Sequence, residues 1–163
     1  MKIARSALLI VLLAGASLLV SSCSKSDDSV THVANDDKEM NGAIDQARKS
    51  VQQFITALQS PKAGQSDFNV KKRFLEADGG GEHIWLRDVT FDGKNFHGKV
   101  NNDPEMVKNV KLGDDATVGK DEISDWMFIE NGKLVGGYTL RVIYSHMTQK
   151  EKEDFLKQAP FSF

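Results

Sequence analysis

Asn131-Gly132 separates two apolar runs, Ile-Ser-Asp-Trp-Met-Phe-Ile-Glu on one side and Lys-Leu-Val-Gly-Gly-Tyr-Thr-Leu-Arg on the other. Asn-Gly best tolerates positive φ at both central positions of a type I′ turn, so Ile123 to Arg141 reads as a β-hairpin. This is the densest block of Trp, Phe, Ile and Val in the chain, and the other elements are expected to pack around it.

From about Asp37 to Gln59, Met40, Ala43, Ile44, Ala47, Val51, Phe54, Ile55 and Leu58 recur at three-and-four spacing, which predicts an amphipathic helix. Its apolar stripe is the kind that packs on its own domain's sheet. Asn35, Asp36 and Asp37 suit its start, and Ser60-Pro61 stops it. Alternation of Phe68, Val70, Lys72 and Phe74 suits a strand, although a helix fits so few residues too. Glu82 to Phe91 reads as a strand whose apolar phase switches near Arg87-Asp88, as a bulge or two-sided burial would produce. Asp92-Gly93 turns the chain into a strand over Asn95 to Val100. Asp103-Pro104 has the form of an N-cap followed by the first position of a short helix through Asn109. A turn at Leu112 to Asp115 then feeds a strand around Ala116 to Val118.

Beyond Gly136-Gly137, Leu140, Ile143, Tyr144 and Met147 fit a helix, while Tyr138, Leu140, Val142 and Tyr144 fit a strand. Thr148 and Glu151 form a capping box, predicting a helix from Gln149 to about Gln158 with Phe155 and Leu156 inward. The fold class is α+β: a curved antiparallel sheet or small β-barrel-like core, an N-terminal amphipathic helix and C-terminal helices.

The N-terminus carries an address. Lys2 and Arg5 precede an apolar or small run from Ala7 to Val20, then Ser21-Ser22-Cys23. A positive start, a short apolar stretch and small residues before the cut mark a secretory signal, too short to remain as a spanning helix. Val20-Ser21-Ser22-Cys23 resembles the lipobox of bacterial lipoproteins, which implies cleavage after residue 22 and acylation of Cys23, the chain's one cysteine. Three acyl chains hold a protein firmly in a bilayer, since two already suffice. Ser24 stands where an inner-membrane retention signal places Asp, so the analogy implies the outer membrane, facing the periplasm. The domain plan is 1–22 signal peptide, 23–37 lipidated cysteine and polar tether, and 38–163 a single domain.

At 163 residues and 40% hydrophobic content the chain can bury one modest core. A formal charge of -2, more negative once Lys2 and Arg5 are removed, argues against nucleic acid as partner. The Gly-rich Ala77 to Gly81 lacks the Lys-Ser/Thr of a phosphate-binding loop.

Glu82-His83-Ile84-Trp85, Gly98 with Asn102-Asp103-Pro104, Gly113-Asp114, Asp125-Trp126-Met127 and Gly136-Gly137-Tyr138-Thr139-Leu140-Arg141 together resemble the YegJ-like family of bacterial proteins over residues 68–163. The resemblance implies a shared domain and an envelope context, and it carries over no reaction, ligand or catalytic residue.

Glu82, His83, Asp125 and Arg141 are the polar members of those motifs. If they converge, two carboxylates and an imidazole form a general acid/base site, the reading of a small hydrolase. The plainer expectation is a structural network in which Arg141 pairs with Asp125 or Glu82 beside Trp85 and Trp126. The two tryptophans could offer an aromatic binding platform, although their Ile, Met and Phe neighbours suggest buried core indoles. His83, His97 and His146 share no metal-binding spacing, and Ser124 lacks a G-x-S-x-G setting. No cofactor or metal is expected. The expected function is therefore that of a membrane-anchored envelope lipoprotein binding an envelope protein partner. An immunity-type protein that neutralises a toxin is a further alternative.

Overall fold

The computed structural model describes residues 38–76 and 79–163. The expected signal peptide, Cys23 and the expected tether lie outside the described residues. Helix α1 (Lys38–Gln59) is followed by β1 (Gln65–Leu75), β2 (Gly81–Phe91), β3 (Asn95–Val100), β4 (Asp115–Gly119), β5 (Ile123–Glu130) and β6 (Lys133–Gly136). Helices α2 (Tyr138–His146) and α3 (Gln149–Gln158) complete the order. The strands form one antiparallel sheet in the order β4-β3-β2-β1-β5-β6, open between β4 and β6. This is the curved-sheet form of the expected α+β fold, without barrel closure.

The curvature is visible from one side chain. The Phe54 ring of α1 lies 5.7 Å from Phe96 on β3, 5.5 Å from Trp126 on β5 and 5.9 Å from Phe68 on β1. A flat sheet separates β3 from β5 by three strand spacings, about 14 Å. The sheet curls so that rings from both strands meet Phe54. Around them Val70, Ile84, Leu86, Val100, Val118 and Ile123 are fully buried. The predicted α1 stripe is buried too, with Ile44 and Leu58 half-covered at its margins. Trp126 fastens helix to sheet by donating its indole N–H to the Ala47 carbonyl at 2.9 Å.

The hairpin turns at Asn131-Gly132, with φ 51° and 77°, as the dipeptide predicted. Its second strand is shorter than the apolar run suggested, ending at Gly136. Gly136 and Gly137 have φ 75° and 64°, and this left-handed pair swings the chain from β6 into α2. The chain after them is helical, resolving the two patterns over 138–147. The phase switch at Arg87-Asp88 is a bulge: the β2–β3 register shifts between Arg87 and Thr90, and Asp88 has φ 53°.

Two local expectations fail. No helix forms from Asp103 to Asn109; the loop amides of Glu105, Met106 and Val107 donate instead to the Glu82 carboxylate. In α3 the capping box forms, with Glu151 N–H to Thr148 Oγ1 at 3.3 Å and Thr148 N–H to Glu151 Oε2 at 2.7 Å. Phe155 joins Tyr144, Phe161 and Phe163 in a satellite aromatic cluster, but Leu156 is exposed. The chain end lies along β6, where Leu134 N–H donates to the Ser162 carbonyl at 2.8 Å.

Candidate functional site

Three of the four polar motif residues are structural anchors. Strand register places Trp85, Lys71 and Asp125 side by side across β2, β1 and β5. Asp125 is fully buried. Its Oδ1 accepts the backbone N–H of Trp126 at 2.8 Å and of Tyr138 at 3.1 Å. Its Oδ2 accepts the Thr139 hydroxyl at 2.6 Å and the Thr139 backbone N–H at 2.8 Å. The carboxylate thereby caps α2 from a neighbouring strand, where the αL residue Gly137 supplies no side chain.

Lys71 completes the cluster. Its ammonium lies 3.4 Å from Thr139 Oγ1 and 5.2 Å over the Trp85 ring. Burial lowers the Lys71 pKa, and the Asp125 charge pulls it back up. Burial raises the Asp125 pKa, opposed by the hydrogen bonds from Thr139 and Trp126 and by Lys71. With four donors on its two oxygens and no exposure, Asp125 has no free lone pair to offer a substrate.

Glu82 faces elsewhere and is also buried. Its Oε2 accepts the backbone N–H groups of Glu105 at 3.0 Å, Met106 at 3.0 Å and Val107 at 3.4 Å. It pins the loop between β3 and β4 to β2, where the predicted short helix does not form. Its neighbour His83 points to the opposite face of the strand, as the two-residue period requires. Arg141 pairs with neither Asp125 nor Glu82, correcting the expected ion-pair network. Its Nε donates to the Gly136 carbonyl at 2.9 Å and Nη2 to the Leu134 carbonyl at 2.7 Å, with the guanidinium 5.4 Å over Phe163. The end of β6 offers two carbonyls nearby, whereas both carboxylates are already occupied by amides.

Glu82, His83 and Asp125 therefore do not converge on one point. Trp126 is a core indole as expected, but Trp85 is only half-buried, beneath Lys71. No group of three or more His, Cys, Asp or Glu able to hold a metal occurs among the described residues.

Two surface grooves stand out among the described residues. One of about 500 Å³ lies beside Leu58, Phe68, Asn69 and Arg87 and includes Asp67 and Asp88, both at φ 53°. The other, about 380 Å³, runs between α1 and the sheet, with Arg48, Arg73, His83 and Ser124 in its wall. Burial, then Lys71, Arg73 and Arg48 in turn, lower the His83 pKa to about 4, so its imidazole is neutral at pH 7. Sequence reasoning did not single out Lys71, Arg73, Arg48 or Thr139. Lys71 and Arg73 occupy the alternate phase of the strand marked by Phe68, Val70, Lys72 and Phe74, and only cross-strand pairing gives them neighbours.

The profile of the family described as "Uncharacterized protein conserved in bacteria (DUF2314)" matches residues 37–163, which includes α1. The chain is 34% identical over 131 residues to the uncharacterized protein YegJ of Escherichia coli (strain K12), covering 80% of this chain and 84% of that one. It is also 34% identical over 135 residues to a putative ankyrin repeat protein of Neisseria meningitidis serogroup B, covering 78% of this chain and 53% of that one. No solved structure matches. An α+β domain whose motif residues cap its own loops and helices, matched over its full described length, belongs to the YegJ-like DUF2314 family of bacterial proteins.

Proposed function

We propose that the chain is a lipid-anchored protein of the bacterial cell envelope whose domain works by non-covalent binding. The carrying observation is the Asp125 carboxylate, fully buried and saturated by four donated hydrogen bonds. A general base needs a lone pair within reach of a substrate proton. Glu82 is engaged in the same way by three loop amides. Both motif carboxylates thus brace the fold and leave the surface grooves for recognition.

The anchor reading rests on Val20-Ser21-Ser22-Cys23 and the apolar run before it. Acylation of Cys23 tethers the domain to the membrane, with the outer membrane and a periplasmic orientation suggested by Ser24, and an envelope protein as partner. Cells fed radiolabelled palmitate should label the wild-type chain and not Cys23→Ala, which should leave the membrane fraction. Label persisting in Cys23→Ala, or an unacylated wild-type chain, overturns the anchor. Turnover dependent on Asp125 in a correctly folded variant overturns the binding reading.

A further inference from the structure

We propose that the groove between α1 and the sheet is a binding site for the carboxylate of a small monoanionic ligand, gripped by Arg48, Arg73 and Ser124. The inference deepens the binding reading above by naming a ligand class. The groove's volume of about 380 Å³ lies within the ordinary range for small-molecule sites.

The strongest pointer is an unmet demand. Ser124 is 1% exposed, and its hydroxyl is the one buried side-chain polar atom among the described residues without a hydrogen-bond partner. Buried hydroxyls are normally satisfied, and an exception calls for a missing partner. Ser124 lines the groove wall, at the bulge where the β1–β5 register shifts between Lys71 and Lys72, so its hydroxyl lies just behind the groove surface.

Two guanidinium groups share that wall. Arg48 donates its Nε to the Ile123 carbonyl at 2.9 Å, which fixes the side chain beside Ser124 and leaves its terminal nitrogens available. Arg73 lies directly across from His83 on β2, and no hydrogen bond or ion pair engages its guanidinium among the described residues. Guanidinium forks match the two oxygens of a carboxylate, and a serine hydroxyl adds a third donor. Burial is the main cause of the lowered His83 pKa, and Lys71, Arg73 and Arg48 lower it further, as cations whose local field favours an anion would.

The same wall sets the charge of the ligand. Asp45 and Glu122 line the groove with the arginines. Glu122 accepts the Gly119 N–H at 3.0 Å, which holds its carboxylate in place. These two negative charges repel a dianionic phosphate more strongly than a single carboxylate. Selectivity for a monoanion follows.

The test uses the full chain in detergent micelles, titrated with acetate, N-acetylglycine and inorganic phosphate while the His83 ring and Ser124 amide are followed by NMR. Both carboxylates should shift these resonances saturably and raise the His83 pKa above its ligand-free value of about 4, because the anion offsets the arginine charges. Phosphate at equal concentration should do less. Arg73→Gln, whose side chain braces nothing in the free protein, should weaken binding at least about tenfold. Ser124→Ala should weaken binding while leaving the melting temperature unchanged or higher, because it removes a buried hydroxyl with no partner.

No response to either carboxylate, a titration unchanged in Arg73→Gln, a stronger response to phosphate, or a lower melting temperature for Ser124→Ala each overturns the site. An unresponsive groove in a chain that still takes up palmitate refutes this site alone. Conversion of N-acetylglycine would instead refute the binding reading.

Discussion

The Thr139 hydroxyl donates to the Asp125 carboxylate at 2.6 Å, and the backbone N–H of the same threonine donates to the same oxygen at 2.8 Å. One side chain on β5 thereby caps the helix that follows Gly137. Removing it should be costly. Asp125→Ala leaves three backbone N–H groups and the Thr139 hydroxyl without their shared acceptor, and the Lys71 ammonium without the nearby negative charge. Breaking a buried charged network of this kind costs about 3–5 kcal/mol. Thermal denaturation should show a fall on the order of 10 °C. A variant that melts with the wild type would show that α2 does not depend on this cap.

Glu82 makes the corresponding statement about the loop between β3 and β4. Glu82→Ala should free the amides of Glu105, Met106 and Val107, at a cost of about 2–3 kcal/mol given that hydrogen bonds to a charged acceptor are the stronger kind. Hydrogen exchange should accelerate at those three amides more than in β5. Uniform acceleration across the sheet would mean that the loop is not a separate unit.

At Gly136 the constraint is steric. Its φ is 75°, and a Cβ there would stand 2.3 Å from the Trp126 carbonyl oxygen and 2.6 Å from the indole ring. Neither the backbone nor a fully buried ring can retreat cheaply. Gly136→Ala should therefore destabilise by about 3 kcal/mol or more, combining left-handed strain with overpacking. Far milder effects are expected at Gly132, whose added Cβ meets nothing within 4 Å. Equal melting temperatures for the two alanine variants would contradict this geometry.

His83 supplies a pH signature. Its folded pKa is lowered to about 4 by burial and by Lys71, Arg73 and Arg48, against about 6.5 in an unfolded chain. Between those values the unfolded state binds more protons than the folded state. Stability conferred by the neutral ring is thus complete above about pH 6.5 and is lost as pH falls toward 4. In His83→Gln, denaturant midpoints measured from pH 7 to pH 4 should fall less steeply than in the wild type. Parallel curves would place the ring in ordinary solvent.

Much of this architecture is legible in local patterns. The α1 stripe, the Asn131-Gly132 turn, the Thr148–Glu151 capping box and the bulge at Arg87-Asp88 each depend on residues a few positions apart, whose periodicity or turn chemistry reads directly. Asp103-Pro104 has equally good local chemistry for a helix start, yet no helix follows it, and the loop is held by Glu82, more than twenty residues away. Leu156 obeys the α3 pattern but stays exposed because the satellite cluster is filled by aromatics from the chain end.

The amino-acid sequence by itself determined most of the elements, their α+β class and the family motifs. Only the tertiary structure decided which motif residues meet. It separated Glu82 from His83 onto opposite faces, gave Arg141 to the β6 carbonyls, and set Lys71 beside Asp125 and Arg73 beside His83. The reason is physical: local periodicity is fixed by backbone geometry within a few residues, whereas cross-strand neighbours depend on register and on which buried charge finds unpaired amides first.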